Sequence, residues 1–166
     1  MAIATTQIQE KVRVLFVCTG NICRSPMAEA IFRDIVKKAK LDDKFEVKSA
    51  GTGQWHVGER PHRGTREVLL RHAIDVNGMV AKQVTNDDLS HFDYIIAMDN
   101  ENLADLRTFK VDSAKLSRLL DYASGINARD VPDPYYDGRF ELVYELVRIG
   151  AEGLLTRIRE EKNWLP

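Results

Sequence analysis

The first strong pattern in the chain is an apolar run followed by a helical periodicity. Residues 12–18 are mostly apolar and rich in β-branched side chains, which is typical of a strand buried on both faces of a parallel sheet. Turn residues follow, and Ser25 and Pro26 then match the N-cap and the first position of a helix. Apolar residues recur at helical spacing after that point, at Ala28, Ile31, Phe32, Ile35 and Ala39. The pattern predicts a strand, a short loop and a helix.

The same alternation continues towards the end of the chain. The further predicted elements are a strand over 45–49, a helix over about 61–72, a strand over 94–98, a short helix after Asp99-Asn100 and a fourth strand over 115–120. A last amphipathic helix begins near Phe140. Its apolar face consists of Val143, Leu146, Val147, Gly150, Leu154 and Ile158.

Alternating strands and helices favour an α/β fold. Strands joined by helical crossovers run parallel and are covered on both faces, so we expect a three-layer α/β/α arrangement around a central four-stranded parallel sheet. Residues 1–11 are expected to form a flexible tail and residues 12–166 a single domain. Ligands of such sheets bind at the carboxyl ends of the strands. The loops at 18–24 and 124–137 are therefore the candidate functional segments.

Composition and charge narrow the classes of protein that fit the pattern. The chain has 166 residues, 44% of them hydrophobic, with 24 basic and 25 acidic side chains and a net charge of −1. Such balance gives no reason to expect nucleic acid or an acidic membrane as a partner. The longest apolar runs fall far short of the about 20 residues that a membrane span needs. The polar start does not match a secretory signal, so a cytoplasmic location is expected.

The cysteines of the chain are Cys18 and Cys23, five positions apart. Two cysteines exclude a disulfide framework of the secreted kind and a four-cysteine zinc site. Cys23 has two interpretations that the sequence leaves open. It packs beneath the loop as a small apolar residue, or it lies close enough to Cys18 to form a reversible disulfide.

The loop after the first predicted strand combines the parts of an anion-binding site. A helix start presents unpaired N–H groups and the positive end of the helix dipole. Gly20 permits a tight curl, and Asn21 tolerates positive φ. A cysteine that faces these donors, Cys18, has its thiolate stabilised. Arg24 offers a planar fork for two phosphate oxygens, and Ser25 can donate a hydrogen bond to the sulfur.

Two motifs carry a resemblance to a known family. A cysteine followed by an arginine six positions later is weak by itself, because a cysteine that ends a buried strand is usually only a small apolar residue. The longer segment Val-Leu-Phe-Val-Cys-Thr-Gly-Asn-Ile-Cys-Arg-Ser-Pro, with Asp-Pro-Tyr-Tyr near the C-terminus, resembles the low-molecular-weight protein tyrosine phosphatases. The resemblance runs from about Val12 to the end of the chain. It implies a cysteine-dependent phosphatase that needs no cofactor.

The resemblance also implies roles for individual residues. Cys18 would be the nucleophile, Arg24 the clamp on the transferring phosphoryl group and Asp133 the general acid. The residues that would hold the loop in shape through hydrogen bonds are Asn21, Ser25, Ser49 and His72. Considered without the resemblance, His72 fits a partly buried histidine with a satisfied ring better than it fits a catalyst.

A general acid is needed because the phenol released from an aryl phosphate has a pKa of about 10, and its anion is a slow leaving group. Asp133 lies between Pro132 and Pro134, which stiffen the segment around it. Asp130 and Asp137 are nearby rivals, and the Asp-Pro-Tyr-Tyr match favours Asp133. The expected reaction is hydrolysis through a phosphocysteine, with no metal because backbone amides and Arg24 neutralise the phosphoryl charge.

Substrate contacts are expected from the loop and from aromatic side chains around it. The loop residues are Thr19, Gly20, Asn21, Ile22, Cys23 and Ser25. Trp55 follows the second predicted strand and, with Tyr135, is a candidate to flank a phosphotyrosine ring. A half-buried loop tryptophan is a comparable interpretation of Trp55. Tyr136 matches a tyrosine that can be phosphorylated in the family, and surface packing is the equal alternative.

Rival functions remain at this point. Arsenate reductases of this fold relay a disulfide through further cysteines, which the chain lacks. Protein arginine phosphatases of the family usually carry threonine where the chain has Ile22, so tyrosine is favoured. A non-catalytic phosphate-binding or thiol-redox module is disfavoured by the intact set of Cys18, Arg24 and Asp133. Tyrosine-phosphorylated proteins are the expected partners, and a monomer or weak dimer the expected state.

Overall fold

The computed structural model describes residues 10–164, and within that range four strands form one parallel sheet. The strands are β1 (Val12–Cys18), β2 (Phe45–Gly51), β3 (Tyr94–Ala97) and β4 (Leu116–Arg118), in the order β2-β1-β3-β4. Cys18 is in register with Gly51, and Val17 with Ala97. The carboxyl ends of the three longer strands therefore meet at one edge, where a ligand of a parallel sheet is expected.

Helices cover both faces of the sheet. They are α1 (Arg24–Lys38), α2 (Arg63–Arg71), α3 (Asn86–His91), α4 (Asn100–Leu106), α5 (Pro134–Asp137) and α6 (Phe140–Lys162). On one face, Phe16 of β1 packs in the same apolar cluster as Phe32 of α1 and Val147 of α6. On the other face, Leu15 clusters with Leu89 of α3 and Leu103 of α4. Alternate residues of β1 thus enter two separate cores, which confirms the three-layer α/β/α prediction.

The start of α1 differs from its prediction. The helix begins at Arg24, so the N-cap position belongs to Cys23, whose side chain makes no capping hydrogen bond. Ser25 therefore lies in the first turn and not at the N-cap. The Ser25 hydroxyl is engaged elsewhere. It lies within hydrogen-bond distance of the Cys18 sulfur and accepts from the side-chain amide of Asn21.

Several boundaries and two short helices also differ from expectation. The predicted strand over 115–120 is only three residues long, because residues Leu119–Tyr122 form a 3-10 turn. The second strand continues to Gly51. Helix α3 begins with a capping box between Thr85 and Asp88, and α5 begins with Asp133 at its N-cap. Neither helix was predicted.

The expected tail over 1–11 falls mostly on residues 1–9, which lie outside the described residues. The assignment of 12–166 to a single domain stays a prediction. Within residues 10–164, no helix has both the length and the apolar character needed to cross a bilayer.

Candidate active site

The loop between β1 and α1 forms a cradle around the Cys18 sulfur. Asn21 adopts a φ of 55°, and its backbone N–H donates to Cys18 Sγ at 3.3 Å. Ser25 Oγ lies 2.9 Å from the same sulfur. The first turn of α1 follows directly and adds the positive end of its dipole. These donors stabilise a thiolate, and they face the position where a phosphate would bind.

The cradle is held against the end of β2 by backbone contacts. Thr52 N donates to Cys18 O and Gly53 N donates to Thr19 O, both at 2.9 Å. A Cβ at Gly51 would lie 2.7 Å from the Thr19 carbonyl oxygen. Only glycine permits this close approach, so the residue at position 51 helps to set the shape of the loop.

Asn21 is the internal support of the loop. Its Nδ2 donates to Ser25 Oγ at 2.8 Å and to Ser49 Oγ at 3.0 Å. Its Oδ1 accepts from the Lys82 backbone N–H at 3.0 Å. The residues that line the cavity do not include Asn21 and Ser25, and their contact with substrate stays a prediction. Together with Ser49 they form a buried network below the nucleophile.

The Arg24 guanidinium is folded into the site and is only 2% exposed. Its Nη1 donates to Asp99 Oδ2 at 2.5 Å and to Val131 O at 3.0 Å, and its Nη2 lies 3.6 Å from Asp133 Oδ2. Burial acts against its charge, but the Cys18 thiolate and the two aspartates more than compensate and raise the pKa of Arg24. The guanidinium is therefore fixed in place and charged.

Two residues that position this part of the site were not predicted for that role. Asp99 was expected only to precede a helix, and it is the N-cap of α4 and the partner of Arg24. Asn102, fully buried in α4, donates to Thr19 Oγ1 at 3.0 Å. The sequence signal for this role was the pair Asp99-Asn100, which directly follows the third predicted strand. Polar residues at the carboxyl ends of parallel strands face the ligand site.

Asp133 lies at the rim of the cradle, at the start of α5. Its Oδ1 accepts from Tyr135 N at 3.1 Å, and its side chain is 34% exposed. The rival carboxylates have other partners. Asp130 accepts from Asn100 N at 2.9 Å, and Asp137 pairs with Arg139 at 2.9 Å. Of these three aspartates, Asp133 lines the cavity above Cys18.

The cavity above the cradle has a volume of about 300 Å³. Its wall is formed by Cys18, Thr19, Gly20, Ile22, Cys23, Arg24, Trp55, His56, Asp133, Tyr135 and Tyr136. Trp55 and Tyr136 are 73% and 85% exposed, so the mouth presents aromatic surface. A Cβ at Gly53 would overlap the Trp55 ring, which shows that the indole lies directly over that glycine. His56, whose ring centroid lies 5.9 Å from that of Tyr135, was not predicted.

His72 is not brought to the loop, contrary to expectation. Its ring stacks on Tyr144 with centroids 3.8 Å apart, and its Nε2 lies 3.8 Å from Glu141 Oε2. The cause is the direction of α2. The start of the helix contacts the loop, through His62 N to Ile22 O at 2.7 Å and Thr65 Oγ1 to Cys23 O at 3.0 Å, and its end points away.

The two cysteines differ in reactivity although both are buried and free. Burial, with smaller contributions from Cys18 and Asp133, raises the pKa of Cys23 to about 12. Cys23 is therefore a thiol at neutral pH, whereas the Cys18 sulfur lines the cavity and lies within hydrogen-bond distance of the Asn21 N–H and the Ser25 hydroxyl. We expect iodoacetate at neutral pH to label Cys18 and to leave Cys23 unlabelled, as measured by peptide mass spectrometry. Preferential labelling of Cys23 would contradict this assignment.

Within the described residues, no group of three or more His, Cys, Asp or Glu side chains is arranged to hold a metal ion. The cradle is instead built to receive an anion, with a cysteine at its floor and a fixed arginine beside it. This fold and site define a cysteine-dependent phosphatase. The chain belongs to the low molecular weight phosphotyrosine protein phosphatase family, whose model matches residues 13–164.

Relatives of known name agree with that assignment. The low molecular weight protein-tyrosine-phosphatase YfkJ of Bacillus subtilis strain 168 is 54% identical over 155 residues, which cover 92% of this chain and 99% of YfkJ. The crystal structure of YfkJ matches with a TM-score of 0.90 at 52% identity, covering 92% of this chain and 98% of that one. The crystal structure of the Drosophila arginine phosphatase DARP matches with a TM-score of 0.82 at 34% identity, and the match covers 88% of this chain and 97% of the DARP chain.

Proposed function

We propose that this protein hydrolyses phosphotyrosine in protein substrates through a phosphocysteine at Cys18. The observation that carries the proposal is the convergence of Cys18, Arg24 and Asp133 on one cavity. Cys18 supplies a nucleophile, Arg24 a fixed positive charge, and Asp133 a carboxyl group at the rim. The roles of these three residues are part of the proposal.

In the first step the Cys18 thiolate attacks phosphorus and the bond from phosphorus to the phenolic oxygen breaks. Asp133 donates its proton to that oxygen, so tyrosine leaves as a neutral phenol. Arg24 and the backbone N–H groups of the loop hold the three equatorial oxygens. The product of this step is a phosphocysteine with Asp133 ionised.

In the second step water attacks the phosphocysteine and the sulfur–phosphorus bond breaks. Asp133 accepts a proton from the water, and phosphate leaves. Sulfur departs as a thiolate, which the Ser25 hydroxyl at 2.9 Å and the Asn21 N–H at 3.3 Å stabilise. Both displacements thus use the same cradle and return the enzyme to its starting protonation state.

The preference for an aryl phosphate is supported by the walls of the cavity. Cys18 lies at the floor, while Trp55 and Tyr135 provide aromatic surface at the mouth. A phosphotyrosine ring fits between floor and rim, whereas the short side chain of phosphoserine holds its peptide too close to the loop. The apolar side chain of Ile22 also lines the cavity and offers no hydrogen bond to a guanidinium.

The proposal is tested with three phosphopeptides of one sequence that carry phosphotyrosine, phosphoserine or phosphoarginine. We expect phosphate release from the phosphotyrosine peptide, with inhibition by vanadate and no effect of a chelator. Phosphoarginine is included because a structural neighbour is a Drosophila arginine phosphatase. Faster turnover of that peptide would reassign the substrate, and no release from any of the three would leave a phosphate-binding or redox module.

Replacing Trp55 with alanine should weaken binding of a phosphotyrosine peptide. The indole is largely exposed at the mouth of the cavity, and it has no part in the proposed reaction steps. Loss of one aromatic contact predicts a rise in KM of roughly threefold to tenfold with kcat little changed. Trp55→Phe is the matched variant and should retain most of the affinity. A fall in kcat with unchanged KM would argue against a binding role.

The cytoplasmic location and the monomeric or weakly dimeric state are also proposed, as the sequence suggests. Sedimentation of the purified protein over a range of concentrations tests the proposed oligomeric state.

A further inference from the structure

A chain of hydrogen bonds connects the nucleophile to a buried carboxylate of α1. Ser25 Oγ lies 2.9 Å from Cys18 Sγ, and Asn21 Nδ2 donates to both Ser25 Oγ and Ser49 Oγ. Ser49 Oγ then donates to Glu29 Oε1 at 2.8 Å. Glu29 is only 5% exposed, although a glutamate is rarely buried without a specific partner. Its carboxylate is the far end of the network that begins at the thiolate.

The direction of each hydrogen bond in this network is determined by its two ends. An ionised carboxylate only accepts, so the Ser49 hydrogen points to Glu29 and a Ser49 lone pair receives Asn21 Nδ2–H. The Lys82 N–H donates to Asn21 Oδ1 at 3.0 Å, which orients the amide with its NH₂ group towards the two serines. Ser25 likewise accepts from Asn21, and its own hydrogen has two acceptors within reach, the Cys18 sulfur at 2.9 Å and the Ala50 carbonyl oxygen at 3.4 Å, of which the sulfur is the nearer.

The charged groups around Glu29 hold it in place and oppose the effect of its burial. Arg33 Nη2 lies 2.8 Å from Glu29 Oε2 and also donates to Val47 O at 2.7 Å. The other charged groups that face the carboxylate are Lys48 on β2 and Lys82. Burial raises the pKa of Glu29, against the effects of Arg33, the Ser49 hydrogen bond and the two lysines. The carboxylate is therefore easier to protonate than an exposed glutamate, and protonation removes an acceptor from the network.

The geometry points to Glu29 as a positioning residue, whose carboxylate holds Ser49 and, through Ser49, fixes Asn21 and the Ser25 hydroxyl against the Cys18 sulfur. This role rests on the proposed function. Glu29 contacts neither the cavity nor the nucleophile. It acts wherever a thiolate must be stabilised, in the free enzyme and when sulfur leaves the phosphocysteine.

Glu29→Gln tests this role with almost no change in volume. Beside Arg33, the new amide turns its oxygen to the guanidinium and its NH₂ group to Ser49. The buried Ser49 hydroxyl then has two donors facing it and no acceptor for its hydrogen. We expect kcat to fall roughly tenfold, in the range of a disturbed hydrogen bond to a charged group, with KM for para-nitrophenyl phosphate little changed. The acidic limb of the pH profile of kcat/KM should move to higher pH.

Two further measurements separate positioning from folding and from the proposed function. Alkylation of Cys18 by iodoacetate requires no turnover, and its rate should fall in Glu29→Gln at a fixed, mildly acidic pH. Asp34→Asn is the matched control, because Asp34 is also on α1 but pairs with Lys38 at 2.8 Å on the surface. It should leave kcat and the alkylation rate unchanged. Thermal unfolding of each variant shows whether the fold is intact.

A double-mutant cycle with Ser49→Ala decides whether Glu29 acts through Ser49. Once Ser49 is alanine, Glu29→Gln should cause no further loss of kcat. Equal losses in both backgrounds, or unchanged kcat and alkylation in folded Glu29→Gln, would overturn the inference. If Glu29→Gln does not fold, Ser49→Ala is measured instead. An alkylation rate equal to that of the wild type in Ser49→Ala would then overturn the inference. A wild-type protein without phosphatase activity would refute the proposed function alone, because the alkylation rates still report on the network.

Discussion

Replacing Cys18 with serine is expected to reduce hydrolysis of para-nitrophenyl phosphate to the background rate. The partners of Cys18 Sγ are the Ser25 hydroxyl at 2.9 Å and the Asn21 N–H at 3.3 Å. Both donate to a thiolate, and neither can take a proton from a serine hydroxyl. A serine at position 18 would therefore remain un-ionised, and we expect a loss on the order of 10⁶-fold in kcat, the scale for a removed nucleophile.

Steady-state kinetics of purified Cys18→Ser measure this loss, and circular dichroism shows whether the variant is folded. Cys23→Ser is the comparison that isolates the nucleophile from cysteine chemistry in general. Because the pKa of Cys23 is raised to about 12, its thiol supplies no anion at neutral pH. Its replacement should cost far less activity than that of Cys18. Substantial turnover by Cys18→Ser would contradict the proposed covalent mechanism.

The elements that the sequence predicts well are those whose pattern repeats over several turns or fills a strand. β1 is buried on both faces and is apolar except at Arg13, and α6 extends over 23 residues with a regular apolar face. The helices α3 and α5 have six and four residues, too few for a period to emerge. Their capping residues, Thr85 with Asp88 and Asp133 with Pro134, were the signals present.

The cradle itself is predictable because its parts are adjacent in the chain. Cys18, Gly20, Asn21 and Arg24 belong to one loop, so no long-range contact is needed to bring them together. Asp133 is more than a hundred residues from that loop, and spacing alone does not distinguish it from Asp130 and Asp137. The resemblance singled it out, and the structure places it on the cavity that Cys18 lines.

The supporting residues could not be predicted because tertiary contacts define them. Glu29 precedes Arg33 by four positions, a spacing that indicates a surface ion pair on a helix. The pair is indeed present, but Glu29 is buried beneath the loop because Ser49 of β2 lies next to it. The error over His72 has the same origin. A position in sequence does not reveal that the end of α2 points away from the loop.

Replacing Asp133 with asparagine should slow the release of poor leaving groups. Asparagine can keep the N-cap hydrogen bond to Tyr135 N, which Asp133 Oδ1 accepts at 3.1 Å, so α5 is preserved while the acid is removed. Loss of a general acid typically lowers the rate by 10²- to 10⁴-fold, and we expect a fall of that order in kcat for phenyl phosphate. KM should change little, because the proton is transferred only in the transition state.

The dependence on leaving group distinguishes proton donation from a change in structure. A para-nitrophenolate leaves without much help, so the single-turnover rate of its release should fall much less than the rate of phenol release from phenyl phosphate. Asp130→Asn is the matched control, since Asp130 binds Asn100 N and lies near Arg118 and does not line the cavity. Single-turnover measurements of phenol release check both variants. An equal loss in the single-turnover rate of phenol release for the two esters in Asp133→Asn would mean that Asp133 does not protonate the leaving group, because only proton donation ties the size of that loss to the basicity of the departing oxygen.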